Sequence, residues 1–505
     1  MSPAKWRWTK WFEKKNLGQK GWDRGSGLFD LKDASRSLFR YLFIGVMNGR
    51  FFIVNMSIEI PILYNKIRRE FNTALENAAE GEFVQKPESV GRYARLRIQS
   101  IRELKQQNRS ATLRLDGCVS QLVQEYGISP LEATDITLRV WDIENRLKAE
   151  GAFFGTEVFN FALSRPVVTN DERAEIETAS NDVMGNLISL AIPESKRLFP
   201  NLPMFPIEEK FDSLGLTPNA ARIDFILTAN GPKIIEVNSQ WVDAINALAA
   251  FASVFGDQQM SKGIIERFAR SFKTSASLAL IDVPQTTGSR ALGATKELEK
   301  LASRLLKIKS FRKCEVVDPE KVRTSYLEMF DSFYVNADPR SFGYKEPDWM
   351  ELILKRVAND PNAMFPRWRP MLDKKFALTL IPNQSGYVTP SVPLAVYDGP
   401  PSQIVLKGDG YSLNSVSTSF DKNFIGVFTE AQKEPLAYIV QPFLEGKRFS
   451  SWVYDTGAKK IRYIADGYTK LNVWWINGQV VGMLTTISDS RLISDKGFNT
   501  IPLIK

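Results

Sequence analysis

Histidine is absent from all 505 residues. With it go Ser-His-Asp and Cys-His nucleophile pairs, His-ligated zinc and any imidazole general base. Cysteine is nearly absent too. Cys118 and Cys314 are too few for a disulfide framework or a four-cysteine metal site, and both read as small buried hydrophobes. Long apolar runs are also missing. Residues 38–64 are apolar in character, but Arg40, Arg50 and Glu59 cut them into uncharged runs at 41–49 and 51–58. A membrane-spanning helix needs roughly 18–20 residues. Buried structure is therefore expected there, with a helix lying at a membrane surface as the alternative. No signal-peptide pattern is present, so a cytoplasmic protein without a transmembrane segment is expected.

The chemistry left open uses carboxylates, lysines, arginines, backbone amides and a hard metal ion. That repertoire suits phosphoryl transfer, which needs positioning and charge neutralisation more than a titrating base. The formal charge is +9, which permits an anionic partner without choosing one. In residues 1–30, Lys5, Arg7, Lys10, Lys14 and Lys15 interleave with Trp6, Trp8, Trp11 and Phe12. Such a tail suits nucleic acid, a membrane surface or docking on a protein. The basic stretch 92–114 has apolar residues at helical spacing and is expected to be an amphipathic helix with a solvated face.

A chain this long exceeds one core, so two or three lobes are expected. Residues 31–195 read as mostly helical. Ser129, Pro130 and Glu132 mark a helix start, with Ile136, Val140, Ile143 and Leu147 along one stripe and a stop near Gly151. Thr169 and Glu172 repeat the capping box. Helices are also expected over 241–252 and 261–272. Strands at 278–283, 314–317 and 332–336, alternating with helices at 295–306 and 349–357, predict a small parallel α/β unit. Short strands recur from 404 onward, at 404–406, 437–442, 449–454, 461–465, 473–476 and 480–485, with Asn477-Gly478 as a hairpin turn.

Residues 221–240, ARIDFILTANGPKIIEVNSQ, predict a β-hairpin around Asn-Gly-Pro. Alternation puts Arg222 and Asp224 on one face of the first arm, and Glu236 and Asn238 on one face of the second. Two carboxylates and an amide oxygen suit Mg²⁺ with phosphate completing its shell. An ordinary hairpin with a salt-bridged solvent face has the same pattern. Parity adds a constraint: a plain two-residue loop puts Asp224 and Glu236 on opposite faces, and only an odd loop or a bulge brings them together. Further on, Lys407 stands at a strand end before GDGYSLNS, where Gly408 and Gly410 expose backbone N–H groups to a phosphate. Lys374-Lys375 precedes an apolar run, so Lys375 is either a second phosphate contact or one of an exposed pair.

Arg-x-Asp, eleven residues, then Glu-x-Asn resembles the metal hairpin of glutathionylspermidine synthase, and is similar to that of eukaryotic-type glutathione synthetase. Both are ATP-grasp ligases with the metal strands ahead of the nucleotide-binding lysines, a circularly permuted order. Here the hairpin is followed by the small α/β unit, PRWRPMLDKKFALTLIP, IVLKGDGYSLNS, YIVQPFLEGKRFSSWVYD and NGQVVGMLTTISDSRLIS. The resemblance covers roughly residues 150–505. It implies an α+β fold of ATP-grasp type. A basic helical extension (1–90) and a helical region with the hairpin (91–275) would lead into the small unit (276–360) and a nucleotide lobe with C-terminal strands (361–505). It implies ATP and Mg²⁺ as cofactors, with Asp224, Glu236 and Asn238 on the metal, and Lys375, Lys407, Gly408 and Gly410 on phosphate. Residues 438–441, including Val440 and Gln441, would form an adenine hinge. Arg222 would face the acyl-phosphate and Arg491 the γ-phosphoryl group. The implied reaction joins a small-molecule carboxylate to an amine. The competing expectation is an inactive protein of this fold, serving as an assembly component through its N-terminus. A nucleic-acid-binding module has only the charge in its favour.

Overall fold

The computed structural model describes residues 7–8, 41–47, 50–56, 109–154, 157–189, 206–239, 242, 244–256, 258–272, 277–282, 290–308, 311–336, 348–373, 375–381, 386–408, 416–493 and 497–505. The chain divides into two units, Met1–Asp142 and Ile143–Lys505.

In the first unit, Tyr41–Met47 and Arg50–Met56 form an antiparallel pair with Met47 opposite Arg50, and Arg7–Trp8 adds to its edge. The apolar runs on either side of Arg50 are thus strands, not the helix at a membrane surface offered as an alternative. Short apolar runs of this length suit strand and helix equally by periodicity. Helix Arg109–Tyr126 follows; residues 92–108 of the basic stretch lie outside the described residues, as do most of 1–40. Among the described residues no helix is long and apolar enough to cross a membrane.

The marked helix starts hold. Pro130–Ala149 begins where Glu132 N–H donates to Ser129 Oγ at 3.2 Å, and the Ile136, Val140, Ile143, Leu147 stripe is buried. Asn170–Ser189 begins with both capping-box bonds in place, Thr169 N to Glu172 Oε2 at 2.9 Å and Glu172 N to Thr169 Oγ1 at 3.1 Å. Between them the expectation of helix fails: Phe153–Phe154, Glu157–Val158, Phe161–Ala162 and Val167–Val168 are short strands. Two of these are held by partners near the C-terminus.

A seven-stranded sheet dominates the second unit, in the order Arg448–Asp455, Phe161–Ala162, Phe498–Thr500, Gln479–Ser488, Lys460–Ile476, Ala220–Thr228 and Gly231–Asn238. Lys460–Ile476 runs 17 residues, as one strand where two were expected. Its first half pairs with Arg448–Asp455 and its second with the hairpin. The first five strands therefore close into a ring, which leaves no edge among them. Gly467 sits where the ring is tightest. A Cβ there would lie 2.8 Å from Ile464 Cγ2 and Ile487 Cγ2 and 3.0 Å from the Phe449 carbonyl. Gly467→Ala is expected to cost about 1–3 kcal/mol by overpacking, read as a lower urea midpoint at unchanged m-value.

One face of the sheet carries Ile223, Phe225, Leu227, Ile234, Val237, Leu471, Val473 and Trp475, packed with Ile176, Val183, Met184 and Leu187 of the helix Asn170–Ser189. On the opposite face, helix Ile245–Val254 is buried along its whole length and presses Leu248 against Gly482.

Two smaller sheets flank this core. Ser277–Ile281, Lys313–Val317 and Ser332–Val335 are parallel as expected, and Met364–Phe365 adds a fourth parallel strand. The other sheet is antiparallel, in the order Val392–Pro393, Tyr438–Pro442, Ile404–Gly408 and Val416–Thr418. One of its faces (Ile404, Leu406, Tyr438, Val440) packs on Phe424 and Phe428 of helix Phe424–Ala431. Both cysteines are buried and neither is in a disulfide, as expected. Burial, with Glu315 alongside, pushes the Cys314 thiol up to about 12.

Candidate anion site at the hairpin

The hairpin meets its parity constraint by the second of the two expected routes, a bulge. Its loop is short, with Thr228 opposite Gly231, so alternation alone would separate the acids. The register then shifts between Asp224 and Phe225. Phe225 pairs with Ile234 and Asp224 with Glu236, which leaves Ile235 as the extra residue of a β-bulge. Beyond the bulge, Asp224 faces Glu236 and Arg222 faces Asn238, and all four share one side of the sheet.

The bulge also frees a carbonyl. Lys407 Nζ donates to Ile235 O at 2.6 Å and Gln441 Nε2 to the same oxygen at 3.3 Å. Val405 pairs with Gln441, so Gln441 and Lys407 lie on one face of the small antiparallel sheet, opposite the face packed on its helix. Gln441 is steadied by a bond to Ser391 Oγ at 2.8 Å. Lys407 is the last residue but one of the strand Ile404–Gly408, close to the strand end expected for it. Lys375, in the 3₁₀ turn Lys375–Leu380, donates to Gly408 O at 3.1 Å.

A fourth cation was not anticipated. Lys470 Nζ donates to Asp224 Oδ2 at 2.9 Å, while Arg222 Nε reaches Asp224 Oδ1 at 3.3 Å. Asp224 is only 1% exposed. Lys470 and Asn472 alternate along the long strand and stand on the hairpin's polar face, Asn472 directly opposite Asp224. Asn472 Nδ2 donates to Thr486 Oγ1 at 2.8 Å, and Thr486 Oγ1 donates to Asn499 Oδ1 at 2.9 Å. Buried polar residues thus extend the patch across three more strands. The pattern Lys-x-Asn beside Leu471 and Val473 carried the signal, since a period of two runs unbroken through it.

Charge follows from this packing. Burial pushes the Glu236 carboxyl up, but Lys375, Lys407, Lys470 and Arg222 outweigh it and hold the group at about 2. Lys407 Nζ lies 3.9 Å from Glu236 Oε2. Burial drives Lys407 down, Lys375 and Lys470 push the same way, Glu236 and Asp224 oppose, and the ammonium settles at about 8.

Of the remaining expected residues, Arg491 and Val440 fall elsewhere. Arg491 donates to Tyr468 Oη at 2.9 Å and lies over the Phe420 ring at 3.9 Å; these contacts are not with the hairpin acids. Val440 points into the helix-packed core, and the backbone of Tyr438–Pro442 is laddered to strands on both sides. Gly408 is part of the lysine strand, and Gly410 lies outside the described residues.

The donor set meets Mg²⁺ in number and not in charge. Two carboxylates and an amide oxygen are an acceptable count. Both oxygens of Asp224 already face cations. Two unit charges about 4 Å apart repel by about 4 kcal/mol at an effective dielectric near 20, and a divalent ion doubles that. As the side chains lie, the residues do not fit a resident metal. Four cations around two acids fit an anion. Asn238 Nδ2, buried without a hydrogen-bond partner, is a further donor for one.

No known family profile matches the chain, and no curated protein does. Among solved structures it is similar to a glutathione synthetase-like effector from Globodera pallida, at 13% identity and a TM-score of 0.42, over 73% of this chain and 96% of that one. It is also similar to a protein from Methylobacillus flagellatus described as a gamma-glutamylcysteine synthetase, at 11% identity and a TM-score of 0.28, over 68% of this chain and 87% of that one. Likenesses this slight carry no argument about activity, and neither protein bears the name glutathionylspermidine synthase.

Proposed function

We propose that the chain binds ATP with its phosphates against the hairpin, and uses it to join a small-molecule carboxylate to an amine. One observation supports this above the rest: Arg222, Lys375, Lys407 and Lys470, from four separate stretches, gather around the buried Asp224 and the half-buried Glu236. Held cations in a water-poor site do what phosphoryl transfer asks of a protein, which is to position the transferring group and offset its charge. Lys375 and Lys407 would hold the phosphate chain. Arg222, already turned toward Asp224, would face the substrate carboxylate. A carboxylate oxygen attacks the γ-phosphorus and ADP leaves; the amine then attacks the acyl carbon and phosphate leaves. The amino-acid, peptide or polyamine identity of the two substrates is left to a screen.

Calorimetry tests the first half. The wild type is expected to bind ATP, and Lys407→Met to lose at least about tenfold in affinity. Because a bound phosphate favours the charged lysine, binding near pH 8.5 is expected to take up a proton, seen as a dependence of the heat on buffer ionisation. No ATP binding by the wild type ends the proposal. ADP release in the presence of amino acids, peptides or polyamines tests the second half.

A second reading, nucleotide binding without turnover, is favoured by the Lys470–Asp224 pair, which takes up an acid that a metal would use. Binding with no ADP release under any substrate pair selects it.

A further inference from the structure

A nucleotide site normally leaves its carboxylates open to the cation that travels with the phosphates. This one does not. Asp224 is closed on both sides, by Lys470 at 2.9 Å and Arg222 at 3.3 Å. Lys470 has only 11% of its side chain exposed, and it comes from within the central strand Lys460–Ile476, where it pairs with Thr486 and the next residue, Leu471, pairs with Phe225 of the hairpin. An ammonium so placed cannot swing clear without leaving buried charge behind.

We infer that Lys470 takes the place of the divalent cation, and that the site binds a nucleoside triphosphate free of metal. The inference rests on the nucleotide reading above. The ligand class is then a bare polyphosphate, recognised by Lys375, Lys407, Lys470 and Arg222, with the Asn238 amide as an N–H donor to oxygen. Asp224 and Glu236 act here as anchors that hold the cations in position: Asp224 on Lys470 and Arg222, and Glu236 opposite Lys407. Charge-assisted bonds from fixed lysines are strong in such surroundings.

The test needs only the wild type to begin. ATP is titrated by calorimetry in EDTA and again with excess Mg²⁺, with inorganic tripolyphosphate as a second probe and Mn²⁺ binding followed by electron paramagnetic resonance. Expected are ATP affinities within about threefold of each other and no protein-bound Mn²⁺. In Lys470→Met, metal-free ATP binding is expected to fall at least about tenfold and to return when Mn²⁺ is added, with Mn²⁺ now bound. Since removing the ammonium uncovers Asp224, Lys470→Met with Asp224→Asn is measured alongside to keep a folded reference; it should bind neither metal nor metal-free ATP well.

A wild type whose ATP affinity falls tenfold or more in EDTA overturns the inference and leaves the nucleotide reading standing. A wild type that binds neither ATP nor tripolyphosphate, with or without metal, overturns both.

Discussion

Asp224→Ala is expected to cost about 3–5 kcal/mol of folding stability, more than any other single change at the hairpin. Asp224 is 1% exposed and makes two charge-assisted contacts, to Lys470 and Arg222. Alanine removes the one carboxylate that Lys470 and Arg222 share, so two largely buried cations lose a common counter-charge, and that loss carries most of the effect. A second change should therefore rescue the first. Lys470→Met in the Asp224→Ala background removes the ammonium and is expected to return much of the loss, and the two-residue cycle should give a coupling of about 1–3 kcal/mol. Urea unfolding of the four proteins measures it. A cost near zero for Asp224→Ala, or strict additivity of the pair, means that the contact does not hold the hairpin to the central strand.

How much of this site was legible in the sequence depends on the range of each contact. The hairpin was, because alternation and the turn residues are local signals, and the parity of its arms even required an odd loop or a bulge. The bulge itself was not. It falls at Ile235, whose freed carbonyl is taken by Lys407 and Gln441, more than 170 residues away in sequence; its cause is tertiary. Lys470 was missed because the expected strands 461–465 and 473–476 leave 466–472 as a connection, whereas the chain runs through it as one 17-residue strand. The parallel unit was legible since each strand–helix step repeats a local pattern. The short strands Phe161–Ala162 and Val167–Val168 were not: two residues carry no periodicity, and their partners lie near the far end of the chain.

Stability is expected to rise with pH in two separate windows, because burial depresses the Lys407 ammonium and the surrounding cations depress the Glu236 carboxyl. Lys407 ordinarily titrates near 10.5 and here near 8. Between those values the unfolded chain holds a proton that the folded protein has released, so stability rises with pH across that window, by about 3 kcal/mol in full. Glu236 ordinarily titrates near 4.5 and here near 2. As pH falls from 4.5 toward 2 the unfolded chain binds a proton first, and stability of about the same size is lost. The difference in unfolding free energy between wild type and Lys407→Met isolates the alkaline limb, and that between wild type and Glu236→Gln the acid limb, because the general titration of the chain is common to each pair. Flat differences across both windows would remove the electrostatic account of the site. Rising differences mean that at neutral pH the fold keeps a charged lysine in a place that disfavours it. Glu236 offsets part of that cost, and a bound phosphate would offset more, which is how a buried ammonium becomes a binding group and not merely a structural liability.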